Sequence, residues 1–446
     1  MNAKEPQGTA SRRAALRLMD AVLRKGLPLE AALDTAARDL KRPDDRAFAH
    51  AMVAEALRRL TDLDALIDSA TKKPLPDDSK ARAALRIALV QALAMDTPHH
   101  AAISTVLPLV DGGPRRLVHG VFSTLTKKGA ALPELPSLPG NVRHRWQQAW
   151  GGLVVEAASR ALATPPPLDL IFKDDAALDR LQCSCESRNP AAPNDETGLL
   201  LPQEHGEAHP LSLMPRHLRL PRDTHVPGLP GYVEGDWWVQ DISASMPARL
   251  LGEGKGKTAL DLCAAPGGKT MQLAAAGYDV TAVDASEKRL ERLAENLART
   301  KLNAKTIAVD VMKWEPKEKV DAILLDAPCS ATGIFRRHPD VLYRARPRII
   351  AALAEGQKAM LDRTAGWLEP GGTLVYSVCS LEPEEGEQVV EAFLADHLDF
   401  QILPIRSGEI AEGMTPSSEG YLRILPGILA DHGGADGFFM VRMRRS

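Results

Sequence analysis

Two hydrophobic periods divide the chain. From about Ser11 to Lys128, apolar residues recur at helical spacing: Ala14, Leu18, Ala21 and Val22, then Phe48, Met52, Ala56 and Leu57, then Leu85, Leu89, Ala92 and Leu93. Such spacing lays an apolar stripe along each helix. Pro43, Pro74, Pro76 and Pro98 fall between the stretches, where helix breakers belong. The pattern predicts an all-α bundle of six or seven helices.

Beyond Thr258 the period changes. Short apolar runs at Thr258–Leu262, Val280–Val283, Thr306–Val309, Ala322–Leu325 and Thr373–Tyr376 read as strands. Helical stretches alternate with them at about Thr270–Ala276, Glu287–Arg299, Pro347–Trp367 and Glu384–Asp396, and Gly437–Met443 reads as a closing strand. Alternation of this kind predicts a Rossmann-like α/β domain with a parallel sheet and right-handed crossovers. Between the two regions lie the Pro-rich stretch Leu132–Gly140, a helical segment Arg143–Leu162 and a weak mixed pattern over Leu168–Leu220. Gln182–Leu211 has no clear period and predicts an irregular loop. The division drawn is a helical domain at 1–130, a linker and helical segment at 131–163, a small α+β subdomain at 164–235 and a catalytic domain at 236–446.

The chain has 446 residues, enough for several domains, with 44% hydrophobic and 25% charged residues. These values predict an ordinary globular protein. A net charge of −3 gives no bulk support for polyanion binding, which local patches carry instead. Five cysteines argue against a disulfide framework. Cys183-Ser184-Cys185 has neither the ligand number of a metal site nor the spacing of a redox pair, so the two read as incidental thiols and no metal is predicted. The polar segment Met1–Ala10 lacks the apolar core of a secretion signal, and no apolar run is long enough to span a membrane. A cytoplasmic protein is expected.

The chemistry-bearing residues cluster at strand ends. The first strand of the α/β region runs into Asp261-Leu262-Cys263-Ala264-Ala265-Pro266-Gly267-Gly268-Lys269-Thr270. Small residues and paired glycines let backbone approach a ligand at a helix start. The run is neither the Gly-x-Gly-x-x-Gly of a nicotinamide site nor a Walker loop. Asp284, Asp310 and Asp326 end the next three strands. Asp284 is placed to accept from ribose hydroxyls and Asp310 from an adenine amino group, so a nucleoside-type cofactor is predicted. Each acid by itself is equally a helix cap or turn residue.

Two cysteines occupy matching contexts, Asp326-Ala327-Pro328-Cys329-Ser330 and Tyr376-Ser377-Val378-Cys379-Ser380. Each follows a strand, and the two strands are consecutive. Consecutive parallel strands usually pair about 4.8 Å apart, which brings both thiols to one sheet edge. Two such thiols suggest a site that makes and then breaks a covalent bond. Either cysteine alone also reads as a buried core thiol.

Cys-Ala-Ala-Pro-Gly-Gly-Lys, then Asp-Ala-Pro-Cys-Ser, then Tyr-Ser-x-Cys-Ser resembles the Nop2/Sun (Fmu) family of RNA cytosine-5 methyltransferases, over most of Val226–Met443. The helical start resembles the NusB-like RNA-binding domain at Phe48, His50, Glu55, Leu57, Asp64, Arg82–Leu93 and Pro98–Ala102. The fusion resembles those bacterial members that methylate small-subunit ribosomal RNA. The resemblance implies a class I methyltransferase domain with S-adenosylmethionine held by Cys263, Ala264, Ala265, Pro266, Gly267, Gly268, Lys269, Asp284, Asp310 and Asp326. It implies Cys379 as the nucleophile toward cytosine C6, Cys329 as the residue assisting product release and Asp326 as a partner of the cytosine N3 edge. DNA cytosine-5 enzymes use the Pro-Cys cysteine as nucleophile, so sequence alone does not order the pair. The family usually has Thr before the nucleophile, whereas this chain has Val378.

The basic run after Cys329 supplies Arg336, Arg337, His338, Arg344 and Arg346 as RNA contacts, with Arg12, Arg13 and Arg17 a second surface. A solvated helix face is the plainer reading of either set. Phe438 and Phe439 read as core. The expected partner is RNA, 16S rRNA or a small-subunit assembly intermediate, bound by a monomer. A tRNA methyltransferase and a noncatalytic RNA-binding assembly factor are the alternatives.

Overall fold

The computed structural model describes residues 6–186 and 211–446, with the side chains of 182–186 excepted. The chain forms two compact units, one of residues 1–164 with 334–346, the other of residues 165–333 with 347–446.

The first unit is helical. Seven helices, Thr9–Leu23, Leu29–Ala36, Pro43–Arg58, Leu60–Ser69, Lys80–Ala94, His99–Val106 and Gly112–Lys127, pack around buried Leu18, Met52, Leu57, Leu85 and Leu89. Pro43 opens its helix at N1, where its missing N–H costs nothing. Ser79 caps Lys80–Ala94 by accepting from the Arg82 amide at 3.2 Å. The helical segment read over Arg143–Leu162 is two helices, Gly140–Trp150 and Gly152–Ala163, because Gly151 takes φ 84° between them.

Residues 334–346, assigned to the catalytic domain in sequence, pack instead into this helical unit. Phe335 lies against Trp146 at 5.4 Å between ring centroids, and the Tyr343 hydroxyl donates to Leu57 O at 2.8 Å. The Asp340 carboxylate, 2% exposed, accepts from the Leu29 amide at 3.3 Å.

The second unit holds two sheets. Strands β1 (Leu168–Phe172), β2 (His217–Leu220) and β3 (Trp237–Val239) form an antiparallel sheet in the order β2-β1-β3. Buried Asp169 accepts from Arg219 and His217. Burial opposes its charge, but those two partners outweigh it and hold the carboxyl well below its usual range. The main sheet comprises β4 (Thr258–Leu262), β5 (Asp279–Asp284), β6 (Lys305–Ala308), β7 (Val320–Asp326), β8 (Leu368–Val378), β9 (Phe400–Ile402), β10 (Leu422–Ile424) and β11 (Phe438–Arg445). Its order is β10-β11-β8-β7-β4-β5-β6, with β9 paired to β11.

Strands β4 to β8 are parallel, as the alternating pattern predicts, and β9, β10 and β11 add an antiparallel edge. β9 and β10 are three residues each, too short for a period to show. The central runs are apolar because helices cover both faces. Phe438 and Phe439 are buried core residues. The chain leaves β4 toward β5 and β6, then returns to β7 and β8 on the other side. The β4/β7 boundary is therefore the switch point at which such sheets bind ligands.

The irregular loop read at Gln182–Leu211 begins as helix, because Asp175–Glu186 is continuous. The rest of it lies outside the described residues, as do the Cys183 and Cys185 side chains. Among the described residues no helix is long and apolar enough to cross a membrane.

Candidate active site

The β7/β8 pairing puts Asp326 opposite Ser377. Three residues past the first and two past the second, the thiols of Cys329 and Cys379 meet, with their sulfurs 3.4 Å apart. Both are free and half-buried. The contact with Cys379, followed by burial and the charges of Cys379 and Glu385, pushes the Cys329 thiol well above its ordinary value. Cys329 is thereby held protonated.

The Asp326 carboxylate is gripped on both oxygens. Lys269 Nζ donates to one at 2.7 Å, and the Ser377 hydroxyl donates to the other at 2.8 Å. Lys269 lies over the Phe438 ring at 5.3 Å. Burial pulls the Lys269 ammonium down, but the charge and hydrogen bond of Asp326 outweigh it, and the charges of Asp261 and Cys379 add to the rise. Lys269 is thus a fixed cation within electrostatic reach of Cys379.

The turn after β4 is built for close approach. Gly267 takes φ 106°, and a Cβ there would stand 2.7 Å from Leu293 Cγ. Cys263 also takes a left-handed φ, 62°, which non-glycine residues adopt rarely. Burial, with the charges of Asp326, Asp284 and Asp261, pushes the Cys263 thiol up to about 12, so it is no nucleophile. Asp284 is spent on the turn: it accepts from the Ala265 amide at 3.1 Å and the Ser286 amide at 2.9 Å. Asp310 caps the short turn Val311–Lys313.

A cavity of about 410 Å³ opens beside this turn. Cys263, Ala264, Ala265, Pro266, Gly268, Lys269 and Asp326 line it, as do Trp238, Gln240 and Asp241. Gly267, Asp284 and Asp310 of the predicted set are not among its lining residues. Asp261, which also lines it, has one oxygen bonded to Thr270 at 2.5 Å. Its other oxygen, Oδ1, is buried with no hydrogen-bond partner among the described residues. Burial raises this carboxyl to about 7 against the Thr270 bond. An orphaned acceptor, a glycine cradle and three neighbouring acids fit a ligand that carries amine and sulfonium charge. A second cavity in the same unit, about 380 Å³ and lined by Lys173, Arg216 and Arg249, contains none of the strand-end acids.

The basic run behaves differently from its sequence reading. Arg336 is 3% exposed, and its carbonyl accepts from Arg58 at 2.8 Å within the helical unit. Arg344 donates to Gly26 O at 3.0 Å and to Asp340 at 3.1 Å. Burial therefore withdraws Arg336 from the predicted RNA face, and hydrogen bonds within the helical unit largely spend the Arg344 guanidinium. Arg337 and His338 are half-buried, and Arg346 is exposed on a cavity of about 370 Å³ in the helical unit. Arg12 is likewise no surface contact: it is 8% exposed, donates to Gln91 at 2.8 Å and stacks on Phe48. Arg17 is paired with Asp39.

Sequence reasoning missed Gln240, Trp238 and Glu385. Trp238 lies in β3 of the three-stranded sheet and Gln240 follows shortly after that strand, and no motif marks either. Glu385 stands in the acidic run Glu382-Pro383-Glu384-Glu385, where composition singles out no member.

A mostly parallel sheet with a glycine turn and acids at its switch point, beside paired thiols, defines a Rossmann-like methyltransferase with a helical N-terminal domain. The family described as 16S rRNA methyltransferase RsmB/F matches residues 248–444, and the NusB family matches residues 9–116. Ribosomal RNA small subunit methyltransferase B of Klebsiella pneumoniae subsp. pneumoniae is 34% identical over 420 residues, 90% of each chain. The crystal structure of PH0851 covers 100% of both chains at 22% identity and a TM-score of 0.72. That of NSun6 from Pyrococcus horikoshii with SFG covers 69% of this chain and 98% of its own at 21% identity and a TM-score of 0.53. The chain belongs to the ribosomal RNA small subunit methyltransferase B family and is an RNA methyltransferase of the Nop2/Sun type.

Proposed function

We propose that this chain methylates C5 of a cytosine in 16S rRNA through a covalent adduct between Cys379 and C6. The methyl donor is S-adenosylmethionine, which when bound supplies an electrophilic methyl group. The residues lining the turn after β4 hold it, and Asp261 Oδ1 offers an acceptor for its amino group.

Cytosine C5 is a weak carbon nucleophile. A thiolate that adds to C6 makes C5 enamine-like, so that it can take the methyl group. Lys269 stands as a fixed cation within electrostatic reach of Cys379, whereas Cys329 is pushed toward its protonated form. This asymmetry supports Cys379 as the nucleophile. Asp326 orients the base along its N3 edge by accepting from the amino group beside N3, while Lys269 and Ser377 fix the carboxylate. After methyl transfer the C5 proton leaves to a base, the S–C6 bond breaks, and Cys379 departs as thiolate. Cys329, 3.4 Å away, assists that release.

The 3.4 Å approach of the two sulfurs beside Asp326 is the observation that carries this reading. The test is transfer of labelled methyl from S-adenosylmethionine to 16S rRNA, with 5-methylcytosine mapped in the product. Labelling of tRNA in preference to 16S rRNA would move the substrate. Absence of transfer to either would favour an RNA-binding assembly factor.

A further inference from the structure

One buried carboxylate ties together the residues that follow the two thiols. Glu385 is 0% exposed and lies in the turn Pro383–Glu385, ahead of the helix Glu387–Asp396. Its Oε1 accepts from the Ser330 amide at 2.8 Å and from Gln357 Nε2 at 3.1 Å. Its Oε2 accepts from the Ser380 hydroxyl at 2.5 Å and from the Ser330 hydroxyl. The two serine hydroxyls are 3.2 Å apart, which mirrors the sulfurs one residue earlier in each loop. Tyr376, just ahead in β8, donates its hydroxyl to the Glu385 carbonyl at 2.6 Å.

No cation pairs with Glu385 among the described residues. A buried carboxylate without a counter-ion is costly and persists only where donors surround it. Here four donors do so, two of them from Ser330, the neighbour of Cys329, and one from Ser380, the neighbour of Cys379. We infer that Glu385 is the positioning residue of the two-thiol site, since its carboxylate joins the two loops and sets the separation of the sulfurs. The inference rests on the proposed two-thiol chemistry for its consequence in catalysis, though not for its geometry.

A displacement of about 1 Å at a reacting group can cost on the order of 100-fold in rate. The test compares the full-length chain with Glu385→Gln and with the double variant Ser330→Ala/Ser380→Ala. The geometric readout is the rate at which diamide, taking up the two thiol hydrogens, closes a Cys329–Cys379 disulfide, followed as the linked peptide by mass spectrometry. Glu385→Gln should close about tenfold more slowly or worse. Its kcat for rRNA methylation should fall on the order of 100-fold, with the KM for S-adenosylmethionine within about twofold of the parent.

A purely structural carboxylate would lower the melting temperature but leave the closing rate, measured well below melting, unchanged. Closing rate and kcat both within about twofold of the parent would overturn the inference. Should Glu385→Gln fail to fold, the serine double variant decides: it keeps the carboxylate but removes two of its links, and an unchanged closing rate there overturns the inference equally. If the parent closes its disulfide rapidly yet methylates no RNA, the function fails while the closing rates still decide the role of Glu385.

Discussion

Lys269 and Asp326 form a 2.7 Å ion pair across the switch point of the sheet, one from the first turn of a helix and the other from the end of β7. In the proposed reaction the pair does two jobs at once, since it fixes the carboxylate assigned to the base and stations a cation near Cys379. Lys269→Met removes both. Methyl transfer should fall by roughly 100-fold or more, the scale for losing one preorganised electrostatic group. Lys269→Arg should recover part of it. Single-turnover transfer of labelled methyl to RNA measures both, and a Met variant as fast as the parent would remove Lys269 from the mechanism.

The two cysteines should fail in opposite ways. Cys379→Ala should form no denaturant-resistant protein–RNA complex and no methylated RNA. Cys329→Ala should methylate and then stall, so that the complex accumulates on a denaturing gel. The reverse pattern would exchange the two roles and leave the reaction class intact.

The meeting of these thiols was legible in the chain, because each cysteine follows a recognisable strand and the strands pair in parallel with Asp326 opposite Ser377. The glycine turn was legible for a similar reason, as its constraints are local. What was illegible depends on partners distant in sequence. Glu385 draws its donors from Ser330 and Gln357, 55 and 28 residues away. Arg336 and Arg344 look like phosphate contacts by composition, but Arg336 is buried and the Arg344 guanidinium donates to Gly26 and Asp340 within the helical unit. Local charge carries no information about burial.

Asp261 sets a pH dependence of stability. Its carboxyl is raised from an ordinary 3.8 to about 7, so between those values the folded chain holds a proton that the unfolded chain releases. Its contribution is therefore fully present below about pH 4 and is lost as pH rises toward 7, by on the order of 4 kcal/mol. Asp261→Asn lacks the group and should lack this slope. Urea unfolding of the donor-free protein at pH 5 and pH 8 measures it. Equal slopes in parent and variant would show that the carboxyl ionises as easily folded as unfolded.

The loop carrying Cys329 is stitched to β8 and to the start of β11 through Gly333. Its amide donates to the Cys379 carbonyl at 3.0 Å, and its carbonyl accepts from the Gly437 amide at 2.9 Å. A Cβ on Gly333 would lie 2.0 Å from the Gly437 carbonyl oxygen, a backbone atom that cannot swing aside. Gly333→Ala must therefore push the loop away from the strands, at a cost of about 1–3 kcal/mol for the overpacking. Because Cys329 rides on that loop, its sulfur should move off Cys379 and release of the methylated product should slow. A melting temperature reduced by several degrees together with accumulation of the covalent complex is the expected result. A variant that is destabilised but turns over at the parent rate would show that the stitch serves folding alone.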